Sequence, residues 1–140
     1  DAEQFSVSST SQARALPLEG QHFFTPLKGI VSEKYDKVLH PYIEISAPAN
    51  SVVTSVLDGT VISADWSDEH EYTIMVQHRD DILSIYRRNQ KLLHKVGDRI
   101  KAGTPIALVG SSEGATTEDH LRFELWHNGV PVNPEQYIAY

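Results

Sequence analysis

Chemically capable side chains stand two residues apart in the stretch "EDHLRFELWHNG", residues 118–129, which alternates polar and apolar residues like a β-strand. His120 and Arg122 therefore lie on the same face of that strand. An imidazole can ligate a metal or transfer a proton. A guanidinium stays protonated and has no lone pair to donate. The face thus presents one group suited to catalysis beside a fixed positive charge.

Two further places in the sequence carry groups of the same kind. His40 and Glu44 stand four residues apart in "HPYIE", and imidazole and carboxylate are both accepted zinc donors. Arg88 follows Tyr86 and Arg87 in "YRR". From the residues alone, His40 is equally a loop histidine, Glu44 a solvent-facing strand carboxylate, and Arg88 part of a solvated charge pair with Arg87.

The elements that must position these residues are predicted to be strands. From Tyr42 onward, short alternating runs such as "YIEIS", "EYTIMVQH" and "LRFELWH" follow one another between turn residues. The Asp58-Gly59 and Asn128-Gly129 pairs each predict a tight β-hairpin. Helical periodicity is absent except for a possible turn at residues 134–138. The predicted class is mostly β and antiparallel, as a two-sheet sandwich or a partly open barrel.

The bulk composition limits the classes of partner. The 140 residues correspond to one domain with its own core. A net charge of −7 argues against nucleic acid and against electrostatic capture by anionic membranes. Cysteine is absent, which excludes disulfides and thiolate zinc sites.

Two segments are expected along the chain. Residues 1–16 are rich in serine, threonine and small polar residues and are predicted to be a flexible leader or the end of a linker. Residues 17–140 are predicted to form the β domain. Because the chain begins with Asp1, we expect it to be a fragment or a processed product, so that any signal peptide or membrane anchor lies upstream.

Three stretches resemble, in order, the lysostaphin or LytM-type zinc endopeptidases of bacterial cell walls. "HPYIEISAPANSVVTSVLDGTVISADW" is similar to the family's H-x-x-x-D segment, and "IMVQHRDDILSIYRRN" to its Y-x-H segment. "VGDRIKAGTPIALVGSSEGATTEDHLRFELWHNGVPVNPEQYI" is similar to the segment that contains H-x-H. The resemblance covers roughly residues 25–138 and implies the LytM-like architecture, a duplicated hybrid motif.

The resemblance also assigns positions in the family's zinc site. His40 matches the first ligand, Glu44 stands where the family has aspartate, and Arg122 takes the place of the third ligand. His120 matches the first histidine of H-x-H, and Arg88 replaces the histidine of Y-x-H. Together these five residues are expected to line the remnant of the family's cleft.

The two arginines predict that the chemistry is lost. Arg122 cannot ligate zinc and places a cation where the dication would sit, and Arg88 cannot shuttle protons near neutral pH. We therefore expect no catalytic residues, no metal and no cofactor. We also expect Arg122 to take over the role of the metal by pairing with Glu44 through a charge-assisted hydrogen bond, for which a bidentate geometry is available to a guanidinium.

Degenerate members of the family resemble regulators that dock onto cell-wall amidases, or scaffolds of envelope assemblies. The expected function is therefore protein–protein contact in the periplasm or elsewhere in the cell envelope, which would regulate peptidoglycan hydrolysis, morphogenesis or division. The expected partner is an envelope protein such as a cell-wall hydrolase, with peptidoglycan as a second candidate. Two alternatives remain open: a module that binds peptidoglycan peptides without cleaving them, and a zinc endopeptidase that uses His40, Glu44 and His120.

Overall fold

The computed structural model describes residues 18–110 and 118–140. The predicted leader, residues 1–16, lies outside the described residues, so the boundary at residue 17 stays a prediction. None of the helices in the described parts is long and apolar enough to cross a membrane.

The described residues form ten β-strands and two short 3-10 helices. The helices are Leu18–Gly20 and Pro134–Gln136, and the second one confirms the turn expected near the end of the chain. The strands are β1 Ile30–Glu33, β2 Ile43–Pro48, β3 Val52–Thr54, β4 Gly59–Ser67, β5 Glu71–Gln77, β6 Ile82–Leu92, β7 Arg99–Ile100, β8 Pro105–Val109, β9 Glu118–His127 and β10 Val130–Val132.

All pairings between these strands are antiparallel, which confirms the predicted mostly-β class. The strand order is β1-β2-β9-β6-β5-β4-β7, with β10 added beside β9 and the β3-β8 pair attached through β6. The strands therefore belong to one branched, hydrogen-bonded sheet rather than to two unconnected ones. β6, the longest strand, pairs with β5, β8 and β9 and is the centre of this network.

The core follows from the alternation along the strands. In β2, Ile43, Ile45 and Ala47 are buried, whereas Glu44 and Ser46 between them are half-buried on the opposite face. β9 repeats the pattern with buried Leu121 and Phe123. Because a strand places successive side chains on opposite faces, the core packing fixes which residues point into the cleft.

The hairpin predicted at Asn128-Gly129 is confirmed. β9 and β10 pair across it, with His127 opposite Val130. Asn128 has a φ of 54° and Gly129 a φ of 81°. Two positive φ angles at the central residues are typical of the two-residue turns whose twist matches that of the flanking strands.

The hairpin predicted at Asp58-Gly59 is wrong. β3 pairs with β8, and β4 starts at Gly59 and pairs with β5 and with β7, where Gly59 lies opposite Ile100. The Asp58 carboxylate instead accepts a hydrogen bond of 2.7 Å from the backbone of Ala102. Glycine is needed at position 59 because β4 passes very close to β5 there. A Cβ at this position would lie 2.4 Å from the carbonyl oxygen of Gln77.

His78, which directly follows β5, is a buried histidine. It is only 5% exposed. Its Nδ1 lies 2.7 Å from the carbonyl oxygen of Asp58 and its Nε2 lies 2.7 Å from Ser84 Oγ, which in turn lies 2.7 Å from the Tyr86 hydroxyl oxygen. Burial lowers the pKa of His78 and raises that of Tyr86 to about 12. A buried polar relay therefore joins β5 to the centre of β6.

Candidate functional site: an arginine cluster on the remnant cleft

The residues of the candidate site lie on three adjacent strands of the sheet, β2, β9 and β6. β9 lies between β2 and β6, and the register places Glu44 opposite Arg122 and Arg122 opposite Arg87. Directly opposed residues of antiparallel strands project on the same side of a sheet. One carboxylate and two guanidiniums therefore form a row across three adjacent strands.

Arg122 contacts Glu44, as the sequence predicts, but through one atom pair. Nη2 of Arg122 lies 3.4 Å from Oε2 of Glu44, and the two side chains are 22% and 21% exposed. The contact is single and long rather than bidentate. The guanidinium also lies over the ring of Tyr42, with 4.1 Å between Cζ and the ring centroid. Cation–π attraction thus holds Arg122 from a second side.

Arg87 forms the tighter ion pair of the site. Its Nε lies 2.8 Å from Oε2 of Glu124, and these side chains are 21% and 12% exposed. The other carboxylate oxygen, Oε1, accepts a hydrogen bond of 3.0 Å from Trp126 Nε1. Both oxygens of Glu124 are therefore occupied, which fixes the guanidinium of Arg87 against β9.

His70 connects the two arginines. It belongs to the turn between β4 and β5, and its ring nitrogens lie 3.5 Å from Arg87 Nη1 and 3.4 Å from Arg122 Nη1. Partial burial lowers the pKa of His70, and the charge of Arg87 lowers it further. A neutral imidazole has a single acceptor nitrogen, so only one of the two guanidinium contacts can be a hydrogen bond. We call Glu44, His70, Arg87, Arg122 and Glu124 the arginine cluster.

His40 borders the cluster without joining it. Its Nε2 lies 3.0 Å from Oε2 of Glu33, so the atom suited to a metal ligand is turned toward a carboxylate of β1. Its ring packs at 5.3 Å from the ring of Tyr42, centroid to centroid. Tyr42 thus separates His40 from Arg122.

His120 and Arg88 occupy a different part of the remnant cleft. Both line a small cavity of about 40 Å³ together with Glu71, Gly110 and Asp119. Nδ1 of His120 lies 3.0 Å from Ser32 Oγ. Arg88 has a φ of 75° at an irregularity in the β5–β6 pairing, and its side chain is exposed. No ion pair links Arg88 to the described residues.

The structure therefore divides the five predicted cleft residues into three groups. Glu44 and Arg122 are in contact, His40 is held by Glu33, and His120 and Arg88 line the small cavity. Four residues of the site stand at no motif position, so the sequence did not predict them. They are Tyr42, His70, Arg87 and Glu124. Strand alternation offered one signal, since Glu124 follows Arg122 at a spacing of two and must share its face.

The donor set does not fit the family's zinc ion. A three-ligand site needs three side chains with free lone pairs around one point. Within residues 18–110 and 118–140, no three His, Asp or Glu side chains lie close enough together to hold a metal ion. Arg122, to which the sequence resemblance assigns the third ligand position, has a guanidinium with no lone pair to offer.

The fold is a β domain of the zinc-peptidase type, in which the sequence resemblance assigns one ligand position to Arg122. The model of Peptidase family M23 matches residues 38–134, and this chain belongs to that family. The resemblance found in the sequence is thereby confirmed.

Relatives of known description support the same family. The chain is 36% identical over 125 residues to the murein hydrolase activator EnvC of Escherichia coli K12, covering 86% of this chain and 29% of EnvC. It is 32% identical over 97 residues to the murein hydrolase activator NlpD of the same strain, covering 69% of this chain and 25% of NlpD. The chain thus spans less than a third of the length of either relative.

The solved structure of Helicobacter pylori Csd3 shares the fold, with a TM-score of 0.74 at 24% identity. The similarity covers 84% of this chain and 33% of Csd3. At this level of identity the comparison concerns the fold alone.

Proposed function

We propose that this chain is a non-catalytic M23 domain that regulates peptidoglycan hydrolysis in the bacterial envelope by contacting a murein hydrolase. The observation that supports the proposal is the contact of Arg122, which the resemblance assigns to the third ligand position, with Glu44 and with the ring of Tyr42. A guanidinium fixed in this way excludes zinc by charge and lacks the lone pair that a ligand needs. The cleft would then serve as a contact surface, for which arginine and tyrosine are favoured residues.

The relatives support the regulatory side of the proposal. EnvC and NlpD are both described as murein hydrolase activators. The partner of this chain would accordingly be a cell-wall hydrolase of its own organism, and the place of action the envelope.

The alternative of a peptidoglycan-peptide receptor has less support from the cleft. Capture of a free peptide carboxylate by bidentate pairing needs a guanidinium whose donors are available. Arg122 already contacts Glu44, and the neighbouring Arg87 is engaged by Glu124. Arg88 is exposed, but it stands apart from them.

The test combines metal analysis with an activation assay. The purified chain should contain far less than one zinc per molecule, and added zinc should not shift its melting temperature. It should release no product from dye-labelled sacculi by itself, but it should accelerate release by at least one purified murein hydrolase of the source organism. Stoichiometric zinc together with intrinsic cleavage, or no effect on any hydrolase, would contradict the proposal.

The role of the cluster is tested by Arg122→Glu, which places a carboxylate beside Glu44 and reverses the charge of the surface. We expect this variant to lose most of the activation at unchanged secondary structure. Arg79→Glu is the matched control, because Arg79 is an exposed arginine outside the cluster. Sedimentation with sacculi in the absence of hydrolase separates peptidoglycan binding from activation.

A further inference from the structure

The turn that leads from β1 into β2 exposes two adjacent aliphatic side chains. Val38 is 85% exposed and Leu39 is 78% exposed, which are the two highest values among the large hydrophobic residues of the described part. Scattered single hydrophobic residues are ordinary on a protein surface. A neighbouring pair at the tip of one turn is different, because both can enter the same pocket of a partner.

The turn is held rigidly by its own hydrogen bonds. Asp36 and His40 exchange two backbone hydrogen bonds, of 3.0 Å and 3.1 Å, and form an isolated antiparallel bridge. Inside this bridge, Oδ1 of Asp36 accepts from the backbone amides of Val38 at 2.9 Å and of Leu39 at 3.0 Å. These amides lower the pKa of the Asp36 carboxyl. The two exposed side chains therefore stand on a preformed scaffold, and binding loses little backbone freedom.

The base of the turn reaches the arginine cluster. His40 closes the turn, its ring packs against Tyr42, and Tyr42 lies under the guanidinium of Arg122. A partner seated over the cluster would thus lie within reach of the tip.

The segment that carries the tip differs in charge from the rest of the chain. Residues 28–39 contain three lysines and two carboxylates, whereas the whole chain has a net charge of −7. Both carboxylates are engaged, Glu33 by His40 and Asp36 by the turn amides. The lysines are exposed and have no ion pair with the described residues; they are Lys28, Lys34 and Lys37. A surface with an apolar centre and a basic border is complementary to an acidic partner with an apolar pocket.

We propose that residues 36–40 form a docking tip that inserts Val38 and Leu39 into an apolar pocket with an acidic rim on the murein hydrolase. The docking role rests on the proposed function, since it names part of the surface that the hydrolase contacts. A membrane would also receive an apolar tip flanked by lysines. Residues 36–40 contain no tryptophan or phenylalanine to anchor the tip at a membrane interface.

The experiment measures binding of the full chain to the hydrolase that it activates, by titration calorimetry, for the wild type and the double variant Val38→Ser/Leu39→Ser. We expect the dissociation constant to rise on the order of tenfold or more, as for loss of a buried interface anchor. Val96→Ser is the matched control, because Val96 is 58% exposed in the loop before β7. It should leave the affinity within about twofold. Unchanged melting temperatures show that every variant is folded.

A second pair of variants distinguishes the effect of a preformed turn from the effect of the aliphatic contacts themselves. Asp36→Ala removes the acceptor of the two turn amides but keeps both aliphatic side chains, and it should weaken binding severalfold through added flexibility of the tip. Asp36→Asn keeps the side-chain carbonyl oxygen in place and should restore most of the affinity. Equal affinity of Asp36→Ala and wild type would contradict a preformed tip.

The outcomes distinguish failure of the docking role from failure of the proposed function. If the wild type activates a hydrolase and the double variant binds it with unchanged affinity, the docking tip is refuted while the regulatory function stands. If the wild type neither binds nor activates any hydrolase, both are refuted. Vesicles of phosphatidylethanolamine and phosphatidylglycerol supply the third arm. Binding of the wild type to these vesicles that is lost in the double variant would assign the tip to a membrane and overturn the docking role.

Discussion

At the scale of single residues, the site combines two ion pairs of unequal quality. Arg122 and Glu44 approach through one pair of atoms at 3.4 Å, whereas Arg87 and Glu124 meet at 2.8 Å and the carboxylate is further held by Trp126. Glu124 is also less exposed than Glu44, so its pair is less screened by water. Arg122, on which the proposed function depends, is therefore held by a weaker ion pair than Arg87.

Double-mutant cycles test this difference. With Arg122→Met and Glu44→Gln we expect a coupling free energy of about 0.5 kcal/mol, typical of partly exposed pairs. With Arg87→Met and Glu124→Gln we expect about 1.5 kcal/mol, because the hydrogen bond is shorter and less solvated. Urea denaturation of the four single and two double variants gives both values. Equal couplings, or the reverse order, would contradict the ranking.

At the scale of elements, close strand pairing decides where the functional residues lie. The irregularity in the β5–β6 pairing turns Arg88 away, so that Arg87 rather than Arg88 faces Arg122. A similar constraint acts at the start of β4, where Gly59 lets the chain pass between β5 and β7. The motif positions of the family alone do not reveal either effect.

Gly59→Ala probes the approach at the start of β4. The added Cβ would lie 2.4 Å from the backbone oxygen of Gln77 and 2.7 Å from His78 Nδ1, so the strands must shift, at a cost of about 1–3 kcal/mol. Gly97→Ala is the comparison, since a Cβ there meets nothing within 4 Å and only its φ of 97° is unfavourable. We expect this second variant to lose about 1 kcal/mol. Chemical denaturation measures both, and a larger loss for Gly97→Ala would contradict the steric explanation.

At the scale of the whole molecule, the buried relay of His78, Ser84 and Tyr86 makes stability depend on pH. Desolvation holds the folded-state pKa of His78 below its usual value of 6.5. The unfolded chain therefore binds a proton more readily than the folded one as the pH falls below about 6.5. The stability that the folded protein gains from keeping His78 neutral is fully present above about pH 6.5. It is lost progressively as the pH falls toward the folded-state pKa of His78.

His78→Gln is the variant that tests the pH dependence. At pH 7 it should lower the free energy of unfolding by about 1–3 kcal/mol, because the hydrogen bonds to Asp58 and Ser84 are disturbed. Between pH 7 and pH 5 this variant should lose less stability than the wild type, because it lacks the histidine whose pKa is lowered by folding. Ser84→Ala, which keeps the buried imidazole, should retain the wild-type slope. Denaturant titrations at several pH values would refute the assignment if His78→Gln had the same slope as the wild type.

The sequence by itself determined the class of the fold, the hairpin at Asn128-Gly129 and the family. Strand alternation and turn chemistry are local, so they can be recognised without knowing which strands pair. The resemblance to the family, rather than local patterning, brought Arg122 and Glu44 together, and their side chains do make contact.

Only the tertiary structure decided which residues complete that site. His70 lies 52 positions from Arg122, and Arg87 is 37 positions from Glu124; both are brought in by pairing between distant strands. Register sets these contacts, and a shift of one residue would exchange the two faces of a strand. For the same reason the sequence could not reveal that Asp58-Gly59 joins strands that do not pair with each other, or that His78 is buried.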